Sequence, residues 1–167
     1  MKNLIVLYFL FSGLIFFSQE PVTKNLGDFT QLKVFNGIDV ELIQSKEHKL
    51  EITGKKAQDV KIKNVNGTLK LSLPFSVKPE KNAANGEVLI KLYFNKNIDI
   101  IDANEGSTIT GKDISQNKIE IKSQERAFIN LTLTTTYLTV KASSGGIIKF
   151  SGKAETQEVD LDLYGTY

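Results

Sequence analysis

Cysteine and tryptophan are absent from this 167-residue chain, and histidine occurs once, at His48. Without cysteine there is no disulfide framework and no lipid-modified N-terminal cysteine, so an ordinary hydrophobic core has to hold the fold. One imidazole and no thiol exclude zinc and copper sites of the usual kinds. They also leave no Cys–His or Ser–His nucleophile pair unless His48 serves. A charge excess is missing as well. Lys and Arg number 21 against 19 Asp and Glu, and Lys2 is the only charge in the first 18 residues, so the remainder carries a net +1. Nucleic acid is therefore not expected as a partner, because phosphate neutralisation needs a clustered basic excess.

What is present begins with a leader. Lys2 precedes an uncharged run from Leu4 to Phe17, and Ser18 stands before the polar Gln19-Glu20-Pro21. Residues 1–18 read as a cleaved signal peptide, the apolar run being too short for a membrane span of about 20 residues. Residues 19–28 read as a linker and 29–167 as a single domain. A soluble protein in the periplasm, at the cell surface or outside the cell follows.

From Phe29 onward strand signals dominate. Leu32-Lys33-Val34-Phe35 and Ile38-Asp39-Val40-Glu41-Leu42 alternate on either side of Asn36-Gly37. Val60-Lys61-Ile62-Lys63 and Leu69-Lys70-Leu71-Ser72-Leu73 do the same around Asn66-Gly67. Asn-Gly between alternating runs predicts a hairpin, because both residues tolerate positive φ. Two N-terminal β-hairpins are expected, and Pro74–Gly86 is the longest loop candidate.

The last 70 residues carry a four-fold echo: Ile98-Asp99-Ile100, Ile119-Glu120-Ile121, Leu138-Thr139-Val140 and Val159-Asp160-Leu161. Each triplet is apolar, polar, apolar, at successive spacings of 21, 19 and 21 residues. Strand-like segments recurring near every 20 residues predict stacked coils, an all-β, β-helix-like solenoid. Glycines at Gly106, Gly111, Gly145, Gly146 and Gly152 punctuate the corners. Stacking places Asp99, Glu120, Thr139 and Asp160 in one outward column and Lys122, Lys141 and Asp162 in the next, because side chains alternate across a strand. These seven residues are the candidate binding strip.

Phe35-Asn36-Gly37-Ile38-Asp39-Val40-Glu41-Leu42, the strand Val88–Phe94, the corners Glu105-Gly106-Ser107 and Ser143-Ser144-Gly145-Gly146, and the recurring triplets together resemble the head GIN domain. This is the autotransporter-adhesin-like domain of exported proteins from Bacteroidetes-type bacteria, and the resemblance spans about residues 29–167. It implies a β-helix-like, adhesin-like exported domain, and it brings no catalytic residues to carry over. The chain departs from the family by stopping at Val159–Tyr167, midway through a coil, where Tyr164 and Tyr167 cap the last turn or leave an end open for pairing.

Asp160 and Asp162 are close enough for a glycosidase pair but project from a strand with no loop to close over them. No Asp-rich loop offers calcium its converging oxygens. His48, in a polar turn, reads as solvated; Tyr93, Tyr137, Tyr164 and Tyr167 read as core or cap residues. No catalysis, cofactor or metal is expected. The reading is an exported adhesin-like or scaffold module binding a surface, glycan or protein. The alternatives are a carbohydrate-active enzyme on a β-helix scaffold and a structural subunit forming homo-oligomers through its C-terminal coil.

Overall fold

A computed structural model describes residues 21–76 and 83–167. The leader over residues 1–18 lies outside the described residues, as does part of the Pro74–Gly86 loop. The fold is all-β. Its strands are β1 (Val22–Asn25), β2 (Gln31–Val34), β3 (Asp39–Gln44), β4 (Lys49–Thr53), β5 (Lys61–Val65) and β6 (Thr68–Ser72), then β7 (Leu89–Phe94), β8 (Ile100–Ala103), β9 (Thr108–Ser115), β10 (Lys118–Ser123), β11 (Phe128–Ala142) and β12 (Ile147–Leu161). Among the described residues, one 3-10 turn, Ala57–Asp59, is the only helical piece. No helix there is long and apolar enough to cross a membrane. Within the stretch read as a linker, Val22–Asn25 forms β1 and pairs antiparallel with β4.

All the strands join one curled sheet that forks. β11 and β12 run parallel along their length; the first half of β11 pairs with β9 and its second half with β10. From there one branch continues β9-β3-β7-β4-β1 and the other β10-β8-β2-β6-β5. Inward side chains of both branches, among them Leu32, Leu69, Ile90, Leu92, Ile121 and Ile129, form one buried core. Each large aliphatic side chain so buried contributes about 1.5–3 kcal/mol.

The chain passes between branches at corners of one recurring geometry. Asn36-Gly37, Glu105-Gly106, Glu125-Arg126, Ser144-Gly145 and Leu163-Tyr164 each place two consecutive residues at positive φ. The corners also stack by hydrogen bonds: the N–H groups of Gly37, Gly106, Arg126 and Gly145 donate to the carbonyls of Glu105, Glu125, Ser144 and Leu163. This explains a correction. Asn66-Gly67 closes the expected hairpin between β5 and β6, but Asn36-Gly37 does not close one, because β2 pairs with β6 and β8 while β3 pairs with β7 and β9. The same left-handed pair serves a hairpin or a corner, and the strands' other partners decide which.

The recurring segments pair in parallel, at a register the triplets misplace. Ile101, Ile121, Val140 and Val159 are mutual neighbours, spaced by 20, 19 and 19 residues. In the first copy the adjacent Ile100 and Ile101 let the pattern fit in either phase, and Ile101 is the residue that points inward. In the fourth, Val159-Asp160-Leu161 lies beside Val140-Lys141-Ala142 rather than beside Leu138-Thr139-Val140. A two-residue slip keeps every side chain on its face, so alternation alone cannot detect it.

Candidate functional site

The outer face of the β10 branch carries most of the expected strip, in a different order. Register places Glu120 beside Ile100 and Thr139, and Thr139 beside Glu158. The next column reads Lys70, Lys33, Asp102, Lys122, Lys141, Asp160. Asp99 is not part of it: this exposed residue precedes β8, with its N–H on the Thr30 carbonyl at 2.7 Å. Asp160 moves from the Glu120 column to the Lys141 column. Asp162 follows the end of β12, where its carboxylate accepts the Leu163 N–H.

Within the strip, Glu120 Oε1 receives Lys122 Nζ at 3.2 Å and Lys141 Nζ at 3.1 Å. Partial burial pushes the Glu120 carboxyl up, but hydrogen bonds from Lys141 and Lys122 outweigh this and hold it below the usual carboxylate range. The same bond to Glu120 raises Lys141 above the ordinary lysine value. Beside the trio lies a shallow hollow of about 250 Å³ lined by Lys122, Gln124, Lys141, Asp160 and Asp162. Sequence reasoning missed the N-terminal extension through Asp102. That carboxylate is buried beneath Lys33 Nζ at 3.1 Å and also accepts the Asn104 amide at 3.0 Å.

A larger groove lies on the β9 branch. At about 640 Å³ it is lined by Glu41, Gln44, Thr110, Lys112, Asp113 and Asn130, among others. Its cause is a β-bulge. β9 pairs with β11 through Gly111–Leu131 and resumes at Ile114–Leu133, one residue out of step, with Asp113 at φ 55°. Pairing with β3 stops at Leu42–Gly111. Beyond it the Gln44 side chain bridges the gap, its Nε2 donating to the Ser115 carbonyl at 3.2 Å and its Oε1 accepting the Ser115 N–H at 2.9 Å. The signal existed in the sequence: inward Ile109 and Ile114 are an odd number of residues apart, which alternation forbids without a bulge.

Two smaller readings also change. His48 stacks on Phe29 with ring centroids 5.1 Å apart, and its Nε2 contacts the Gly27 carbonyl at 3.1 Å. It packs rather than floats. Tyr93 is partly buried with its hydroxyl on Glu51, whereas Tyr137 and Tyr164 are exposed.

With this geometry in place, the family is decided by a match to the model described as "Putative auto-transporter adhesin, head GIN domain" over residues 28–167. The chain belongs to the head GIN domain family. No curated protein matches it. Solved structures do. A "putative adhesin" from Bacteroides fragilis superposes with a TM-score of 0.70 at 17% identity over 84% of this chain, which spans 66% of that protein, just under two-thirds. A "putative adhesin" from Parabacteroides merdae gives 0.53 at 16% identity, covering 89% of this chain and 75% of that one. A "putative lipid binding protein" from Parabacteroides distasonis gives 0.53 at 18% identity, with coverages of 89% and 76%. At such identities the likeness is one of fold.

Proposed function

We propose that this head GIN domain is an exported, non-catalytic adhesin-like module that binds a cell-surface glycan or protein through the outer face of the β10 branch. The observation that carries the reading is the ordered rank of charge on that face, Glu120 clamped by Lys122 and Lys141, with Asp160 and Asp162 at the rim of a shallow hollow. Such a surface has fixed charges of both signs and little depth. It suits recognition of an extended polar partner better than sequestration of a reacting group, which needs a shaped and convergent site. The parallel winding from β7 to β12 supports a β-helix-like scaffold for that face. In this reading residues 1–18 are removed on export and residues 29–167 act as one domain.

The test is binding of the purified protein to immobilised glycans and surface proteins, with product analysis of the same mixtures. Lys122→Glu with Lys141→Glu is expected to cut retention at least about tenfold, the usual weight of losing desolvated charge contacts. Asp113→Asn, in the β9 groove, is expected to leave it unchanged. Turnover of a glycan, or loss of binding only in the Asp113 variant, would overturn the assignment.

A further inference from the structure

Strands β2, β5 and β6 hold four lysines, Lys33, Lys61, Lys63 and Lys70, and no acid. Leu32, Val34, Leu69 and Leu71 point into the core, so Lys33 and Lys70 between them point out. Register then sets three lysines side by side on one outer face: Lys63 lies directly opposite Lys70 in the antiparallel pair of β5 and β6, and Lys70 beside Lys33 in the parallel pair of β6 and β2. Lys61 extends the patch, opposite Ser72. Adjoining strands are about 4.8 Å apart, and like charges at directly opposed positions destabilise a sheet.

Among the described residues, Lys33 alone of the four has a carboxylate partner, Asp102 at 3.1 Å. Lys70 Nζ sits over the Phe35 ring, 4.1 Å from its centroid. Lysine on an edge strand guards it against stray pairing, which accounts for Lys61 and Lys63 on β5. It does not account for Lys70 and Lys33, whose strands are paired on both sides. Independently solvated lysines would have no reason to align in register.

Next to Lys70 the surface turns partly apolar. A hollow of about 410 Å³ is lined by Phe35, Lys70, Ser72, Pro74 and Phe75, among others, and Phe75 is 87% exposed. The one carboxylate lining it, Glu105, is engaged by the Asn36 amide at 2.6 Å. Exposed aromatic surface beside a hydroxyl and an ammonium suits a sugar, whose C–H face packs on a ring while its hydroxyls and acid group take the polar partners.

We propose that the partner of this face is an acidic polysaccharide, bearing carboxylate or sulfate groups, whose charges are held by Lys61, Lys63 and Lys70 while a sugar ring lies against Phe75. The proposal rests on the reading of the β10 branch as a binding surface and names the class of partner. Charge complementarity carries it: an anion between Lys63 and Lys70 relieves the repulsion that the register imposes. The column continues from Lys33 through Asp102 to Lys122 and Lys141, so a polymer laid across the strands meets the lysine rank and then the Glu120 clamp.

The test is retention of the purified protein on immobilised polygalacturonate and dextran sulfate, which separate carboxylate from sulfate, with dextran and polyglutamate as the neutral-sugar and acidic-peptide arms. The wild type is expected to bind at least one acidic glycan, less as salt rises because exposed charge contacts are screened, and to leave dextran and polyglutamate unbound. Lys63→Gln with Lys70→Gln is expected to weaken that binding about tenfold or more. Lys24→Gln with Lys153→Gln, which removes the same charge from β1 and β12, should change it little. Lys63→Gln alone is expected not to lower stability in denaturant unfolding, so its loss of binding is not a loss of fold. Equal retention of polyglutamate, binding unchanged without Lys63 and Lys70, or no retention on either acidic glycan overturns the proposal. If a neutral glycan or a surface protein is then still retained through Lys122 and Lys141, the proposed function stands and only the acidic partner falls. Acidic-glycan binding that needs Lys63 and Lys70 but survives Lys122→Glu with Lys141→Glu does the reverse.

Discussion

β11 and β12 are the same length, lie in one register and share the same inward and outward phases, yet they behave as different kinds of strand. β11 is paired on both sides, and Leu131, Leu133, Leu138 and Val140 vanish from solvent. β12 is paired on one side and leaves Val159 and Leu161 half exposed. Inward direction is a property of the strand's own alternation; burial is conferred by the next layer. The sequences differ accordingly. β11 is threonine-rich and almost uncharged, while β12 places charges along both of its halves.

The largest expected break in this comparison is in the core. Leu131→Ala, in β11, should cost about 2–5 kcal/mol, the range for truncating a fully buried leucine. Leu161→Ala, at an inward position of β12, should cost under about 1 kcal/mol, because half its surface already faces water. Denaturant unfolding of both variants reads the difference. Equal losses would mean that β12 is covered as fully as β11 in solution.

The corners give a smaller contrast. Gly145 sits at φ 75° with room for a Cβ, the nearest atom being Arg126 Cγ at 3.7 Å. Gly145→Ala should therefore cost only the left-handed backbone penalty, about 1–2 kcal/mol. Tyr164 occupies the equivalent place in the last corner at φ 66° while 94% exposed. Tyr164→Gly should raise stability by a few tenths to about 1 kcal/mol, relief of that penalty being partly offset by glycine's greater freedom when unfolded. A loss of stability in Tyr164→Gly would show that the tyrosine ring has a partner in solution.

The smallest effect is one of pH. Glu120 is held below its ordinary value of 4.5, so its stabilisation is complete above that pH and fades as pH falls through the lower folded value. The stability gap between the wild type and Glu120→Gln should shrink on acidification below pH 4.5. A gap that widens there would refute the Lys122–Glu120–Lys141 clamp.

Much of this fold is legible in the sequence, for a definable reason. Alternation of apolar and polar residues reports which face a side chain takes, so the strands, the inward triplets and the clustering of Glu120, Lys122 and Lys141 follow from it. Register is less visible. A slip of two residues, as at Val159–Leu161, preserves every face, and paired apolar residues such as Ile100-Ile101 hide a slip of one, which is why Asp99 drops out of the strip and Asp160 changes column. The Asn36-Gly37 corner looks like a hairpin in sequence because local turn chemistry is identical in the two cases. Lys33 and Lys70 join the strip only through the pairing of β2 with β6 and β8, contacts between segments far apart in the chain.

Amide hydrogen exchange across β11 and β12 reads the contrast between these strands residue by residue. Exchange should be slow throughout β11, which is paired on both sides. In β12, the amides between Lys149 and Leu161 that point away from β11 should exchange fast. Equal protection of both strands would contradict this contrast.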